Sequence, residues 1–214
     1  MAAKQVNLIF SVLAGFVACI SAATNVSVSA NANIPTENVV AQSVAGTAGY
    51  AWKAISSTDC RDIGQSFYVT NDLRIDSFSL CASSGIGAGA SGAAFTVTIY
   101  KSDAVSSIGS AISVQTGTYF LSSDGVKAKD WITFDIDNIT LSGGFYYTFV
   151  LSFDDYAVSR NHAFLHNTGT DMYPSGRLWQ ANNGGALGSS GVNDFAFSVQ
   201  SENQKTVRLL IISQ

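Results

Sequence analysis

The stretch Phe145-Tyr146-Tyr147-Thr148-Phe149-Val150-Leu151-Ser152-Phe153 decides how the rest of the chain is read. Phe145, Tyr147, Phe149, Leu151 and Phe153 recur at every second position, the period of a strand with one face buried. The same alternation returns on both sides of it. Phe67 and Val69 follow Gly64-Gln65-Ser66, and Leu73 to Ala82 forms another run. Phe95, Val97 and Ile99 alternate with Thr96, Thr98 and Tyr100, and Ile132, Phe134 and Ile136 with Thr133, Asp135 and Asp137. Phe195, Phe197 and Val199 make a further stripe, and residues 206–212 a last run of strand length. Gly, Asn, Asp and Ser punctuate these runs, as turns require, and no window of a dozen residues has helical periodicity. Strands with one apolar face must bury it on another layer. The expectation is a single-domain, all-β antiparallel sandwich with jelly-roll-like topology.

Composition agrees. Of 214 residues 47% are hydrophobic and only 12% charged, about half the usual charged share. Nineteen glycines and many Ser and Thr make up the difference. The net charge of −4 comes without a basic stripe, which sets nucleic-acid binding aside.

Residues 1–23 read as a secretory signal: Lys4, an apolar run from Val6 to Ile20, then Ser21-Ala22-Ala23 with small residues placed for a cut after Ala23. The run of about 15 residues is short for a span of roughly 20. Phe16-Val17-Ala18-Cys19 is the alternative, a poor lipoprotein box with Cys19 as lipid acceptor. No other stretch is long enough to span a bilayer, so a secreted or cell-surface protein is expected. Residues 24–50 read as an N-terminal extension or edge strand and residues 51–214 as the sandwich domain.

Export leaves Cys60 and Cys81, an even number in an oxidising compartment, and a disulfide is expected. A hairpin of residues 60–69 and 72–81 about Thr70-Asn71 would set the two face to face, closing a loop worth about 3 kcal/mol in the chain-entropy model. That register also pairs Phe67 with Arg74, which calls for a bulge. Two separate buried thiols are the alternative.

The run Trp52…Arg61-Asp62-Ile63-Gly64-Gln65-Ser66-Phe67, then Leu73-Arg74-Ile75-Asp76-Ser77-Phe78, resembles a recurring bacterial ectodomain. So do Phe95 to Tyr100, Trp131 to Ile136 and Gly144 to Leu151. Such domains occur in secreted, surface-anchored proteins of the PEP-CTERM "choice-of-anchor" type, and the likeness covers roughly residues 50–200. It implies a jelly-roll-like sandwich and supplies no active-site residues. The Pro-Glu-Pro motif is missing, so sorting to that anchor is not expected.

Candidate chemistry is sparse. Gly87-Ala88-Gly89-Ala90-Ser91-Gly92 matches the dinucleotide fingerprint, but a strand follows where a helix must hold the pyrophosphate, so a loop is expected. His162 and His166, in extended chain, lie roughly 13 Å apart at about 3.3 Å per residue and read as surface or loop residues. No G-x-S-x-G elbow occurs, and Glu37 and Glu202 sit near opposite ends of the mature chain, unlike a glycosidase pair. No enzyme and no cofactor are expected. Asp154 and Asp155, with carbonyl oxygens, could hold Ca2+. Trp52, Tyr156, Tyr173 and Trp179, with Asn182 and Asn183, carry the rings and amides on which sugars stack and bond. Val26 and Val28 alternate with Ser27 and Ser29 in an uncharged run that could pair with another copy. Two functions are thus expected in competition: a non-catalytic structural or matrix protein assembling by strand addition, and a secreted carbohydrate-binding module. The partners are copies of itself or an extracellular glycan.

Overall fold

The computed structural model describes residues 23–85, 92–119, 125–155 and 160–202. The expected signal segment, the glycine-rich run at 86–91, Tyr156 and the last strand-like run at 206–212 lie outside the described residues. Thirteen strands and no helix are present among them. In chain order they are β1 (Ala23–Asn31), β2 (Val39–Ser43), β3 (Ala48–Ser56), β4 (Asp59–Val69), β5 (Leu73–Cys81), β6 (Ala94–Ser102) and β7 (Ser110–Thr118). Then follow β8 (Trp131–Leu141), β9 (Phe145–Phe153), β10 (Arg160–His166), β11 (Leu178–Asn182), β12 (Gly188–Ser189) and β13 (Phe197–Ser201).

The strands hydrogen-bond in the order β10-β3-β4-β9-β6-β7-β1-β8-β5-β13-β2, with β11 on β4 and β12 on β11. The all-β reading holds. The strands form one curled mixed sheet, and its two arms are continuous through β1, where two separate sheets were expected. β1 pairs parallel with β7 up to Val26 and then antiparallel with β8 from Ser27 to Asn31. Val26 enters the core, and Gly117 on β7 makes the approach possible: a Cβ there would meet the Val26 carbonyl oxygen at 2.5 Å. Gln115 ties the same seam. Its side-chain amide accepts from the Asp137 backbone N–H at 2.7 Å and donates to the Asp137 carbonyl at 3.2 Å, copying a ladder pair between β7 and β8. The N-terminal strand belongs to its own domain.

β9 lies near the centre of one arm between β4 and β6, and Tyr147, Phe149, Leu151 and Phe153 are all buried. Phe149 stacks on Phe78 of β5 with ring centroids 4.1 Å apart, and Phe95 of β6 meets Phe134 of β8 edge-on at 5.7 Å. The inner faces of the two arms therefore share one aromatic core. Burying such rings is worth about 1.5–3 kcal/mol each, with ring geometry adding to that.

The expected hairpin of β4 with β5 does not form. β4 pairs with β3, β9 and β11, while β5 pairs with β8 and β13 in the other arm. Cys60 and Cys81 are consequently two separate buried thiols in different arms, and the expected disulfide is absent. The conflict between Phe67 and Arg74 is the physical reason. Phe67 is fully buried opposite Tyr147, Arg74 is exposed opposite Thr140, and the chain gives each its proper face by sending the two strands to different partners.

Candidate functional site

The aromatic residues proposed for a glycan do not gather on a surface. Trp52 takes the inward alternation of β3 and is fully buried, stacked on Phe153 at 3.7 Å and edge-on to Phe95 and Tyr119. Its polar sequence neighbours belong to the other face of the strand. Trp179 is also buried, on β11 opposite Gly64 of β4. Neither indole face is open to a sugar. Tyr173 is half-buried, edge-on to Phe197, and its hydroxyl accepts from the Tyr68 N–H at 3.4 Å. Asn182 accepts from Arg61 Nε at 2.9 Å, and Asn183, at φ 54°, exchanges bonds with Cys60. These amides close the end of β11.

Asp154 accepts from the Thr96 hydroxyl at 2.7 Å, and Asp155 pairs with Arg160 at 3.6 Å. Among the described residues no three His, Cys, Asp or Glu side chains gather in a group that could hold a metal.

The histidines depart from expectation, since both are buried in β10. The Tyr119 hydroxyl donates to His162 Nδ1 at 2.5 Å, and His162 Nε2–H donates to the Ser84 carbonyl at 3.1 Å. That pair of bonds fixes the neutral ring in one tautomer. Burial lowers the His162 pKa below its ordinary value and raises that of Tyr119 well above its own. A second buried cluster surrounds Asp194. Its carboxylate accepts from Gln65 at 2.8 Å and from the backbone N–H groups of Met172 and Tyr173 at 3.2 and 3.0 Å. Burial raises the Asp194 pKa, and the Gln65 bond opposes the rise. Cys81 is pushed up to about 11, chiefly by burial, so its thiol is inert at neutral pH. These groups are held by their neighbours and fix loops against the core.

What remains open is an edge. Among the described residues β2 pairs only with β13. The run Val39-Val40-Ala41-Gln42-Ser43-Val44 carries no charge and no proline, and Val39 and Val44 are exposed at 38% and 67%. Sheet edges are normally guarded by Lys, Pro, a bulge or a covering loop, because their free N–H and C=O groups template another strand. Away from that edge, across β1, β8, β5 and β13 and beside the 34–38 segment that leads into β2, lies a shallow groove of about 540 Å³ lined by Glu37, Asp76 and Asp135 among hydroxyl and amide side chains, with no Lys or Arg. Burial and the neighbouring Asp76 both raise the Asp135 pKa, and a bond from Ser27 at 3.3 Å lowers it. The sequence places residues 39–44 within an N-terminal extension or edge strand but singles none of them out; the signal available is the uncharged Val-Val-Ala run. Val26 and Val28, chosen instead as assembly residues, pair within their own sheet.

Comparison with protein-family models, with curated proteins and with solved structures finds no match to this chain.

Proposed function

We propose that this is a non-catalytic, exported structural protein of the cell surface or matrix that assembles by β-strand addition. One observation carries the reading: the edge of β2 is uncharged and without a second partner among the described residues. Such an edge left open in an exported protein at high local concentration recruits a strand from another chain. The competing glycan reading has lost its two indoles to the interior.

The test places lysines where edge strands ordinarily carry them. The doubly substituted Val39→Lys/Val44→Lys chain should unfold with the same midpoint as the parent, both sites being exposed. Sedimentation velocity and electron microscopy should find the parent in multimers and the variant monomeric. Parent protein that stays monomeric at high concentration would refute the reading.

A further inference from the structure

Resting on that assembly reading, we propose that the strand completing the β2 edge is residues 203–214 of a second copy. In sequence, Thr206-Val207-Arg208-Leu209-Leu210-Ile211-Ile212 is a strand-length run rich in β-branched residues, the composition that fits a pleated, half-buried surface.

The route of the chain favours a second copy over the same one. β13 ends alongside the start of β2: Gln200 pairs with Val39, and Ser201 N–H donates to the Asn38 carbonyl at 2.9 Å. The next residue turns away from β2. Glu202 N–H donates to the Arg74 carbonyl at 2.9 Å, and its carboxylate pairs with the Arg74 guanidinium at 3.1 Å, on the β5 side of β13. To reach the free edge of its own β2, the chain would have to recross two strand spacings, roughly 10 Å. Three extended residues, 203–205, cover about 10 Å, leaving nothing for the reversal that must follow. A neighbouring molecule has no such constraint.

Charge does not oppose the pairing: residues 203–214 carry Lys205 and Arg208 and no acidic side chain, and the run Val39 to Val44 carries no charge. Donor and acceptor lie on different surfaces, so the contact is heterologous. Each copy offers a new edge after accepting a strand, and the product is an open fibre.

The experiment compares the full mature chain with one lacking residues 203–214, and adds a synthetic peptide of that segment. The truncated chain should keep the parent's circular dichroism and unfolding midpoint and remain monomeric where the parent forms fibres. The peptide should bind the truncated chain and bind truncated Val39→Lys/Val44→Lys at least tenfold more weakly. Fibres from the truncated chain would overturn the donor assignment while leaving assembly at β2 intact, provided the lysine pair still abolishes them. A truncated chain with a clearly lowered midpoint would show the segment pairing within its own molecule and would also overturn it. A parent that never assembles removes both proposals.

Discussion

The two ends of the sheet meet opposite fates. β10 stands at one end with only β3 as a ladder partner among the described residues, yet its outer edge is sealed. Ser83 N–H donates to Ala163 and Ala196 N–H to Leu165, both at 2.9 Å, and isolated bridges join Ala82 to Phe164 and Phe195 to His166. Beneath that seal lie Phe164, fully buried, and the Tyr119–His162 pair. β2 stands at the other end with no comparable seal among the described residues, and its exposed Val39 and Val44 face solvent. One edge is closed with polar chemistry that would be expensive to disturb. The other carries no charge and no proline and has no covering strand among the described residues. A protein that only needed to stay soluble would be expected to treat both alike.

The comparison breaks most visibly if β10 can be damaged cheaply. Phe164→Ala removes a fully buried ring that touches Trp52 and His162, and a loss of about 3–5 kcal/mol is expected from the cavity. The midpoint of urea unfolding reads it directly. A loss below 1 kcal/mol would mean that the sealed edge contributes little, and the contrast with β2 would fail.

Tyr119→Phe is the next largest change. It keeps the ring among Trp52, Phe95 and Phe134 but strands His162 Nδ1 without its donor. Leaving one buried acceptor unsatisfied costs about 1–3 kcal/mol. The same bond gives a pH signature. Burial holds the His162 pKa below 6.5, and His166 is lowered in the same way. The unfolded chain therefore takes up protons first as pH falls below 6.5, so the stability these residues contribute is fully present above 6.5 and drains away through their folded pKa values. From pH 8 to 5 the two histidines should pull the unfolding midpoint down toward acid, against the opposite pull of the raised carboxyls of Asp62, Asp135 and Asp194, and His162→Gln should remove part of the downward pull. An unchanged slope in the variant would show that His162 is not the group responsible.

Much of this was legible in the residues. The stripe from Phe145 to Phe153 gave the strand, its inward face and the all-β class, because period-two burial is a local property. Which strand lies beside which is not local. Thr70-Asn71 looks like a hairpin turn, but here it carries the chain from one arm to the other, and the cysteines part with it. Trp52 differs from expectation for a related reason: it stands beside Lys53 in sequence, yet the alternation of β3 turns the two to opposite faces and buries the indole. The histidines were read as surface residues because nothing in the sequence announces Tyr119, 43 residues away, as the partner that lets His162 be buried. The open edge at β2 escaped because its significance lies in which neighbours the fold withholds from it.

The smallest expected effect sharpens the contrast best. Val44 is exposed at 67%, just past the end of β2, and Val44→Lys removes little buried surface. Substitutions at such sites usually stay within about 0.5 kcal/mol, so urea unfolding of the single variant should overlay the parent. A lysine beside an open strand nevertheless introduces a charge that an incoming strand would have to leave partly desolvated, one of the devices by which natural edges repel partners. The assembling fraction should therefore drop while stability does not move. An equal fall in stability would mean that Val44 is held by its own domain, and the edge would then be as closed as that of β10.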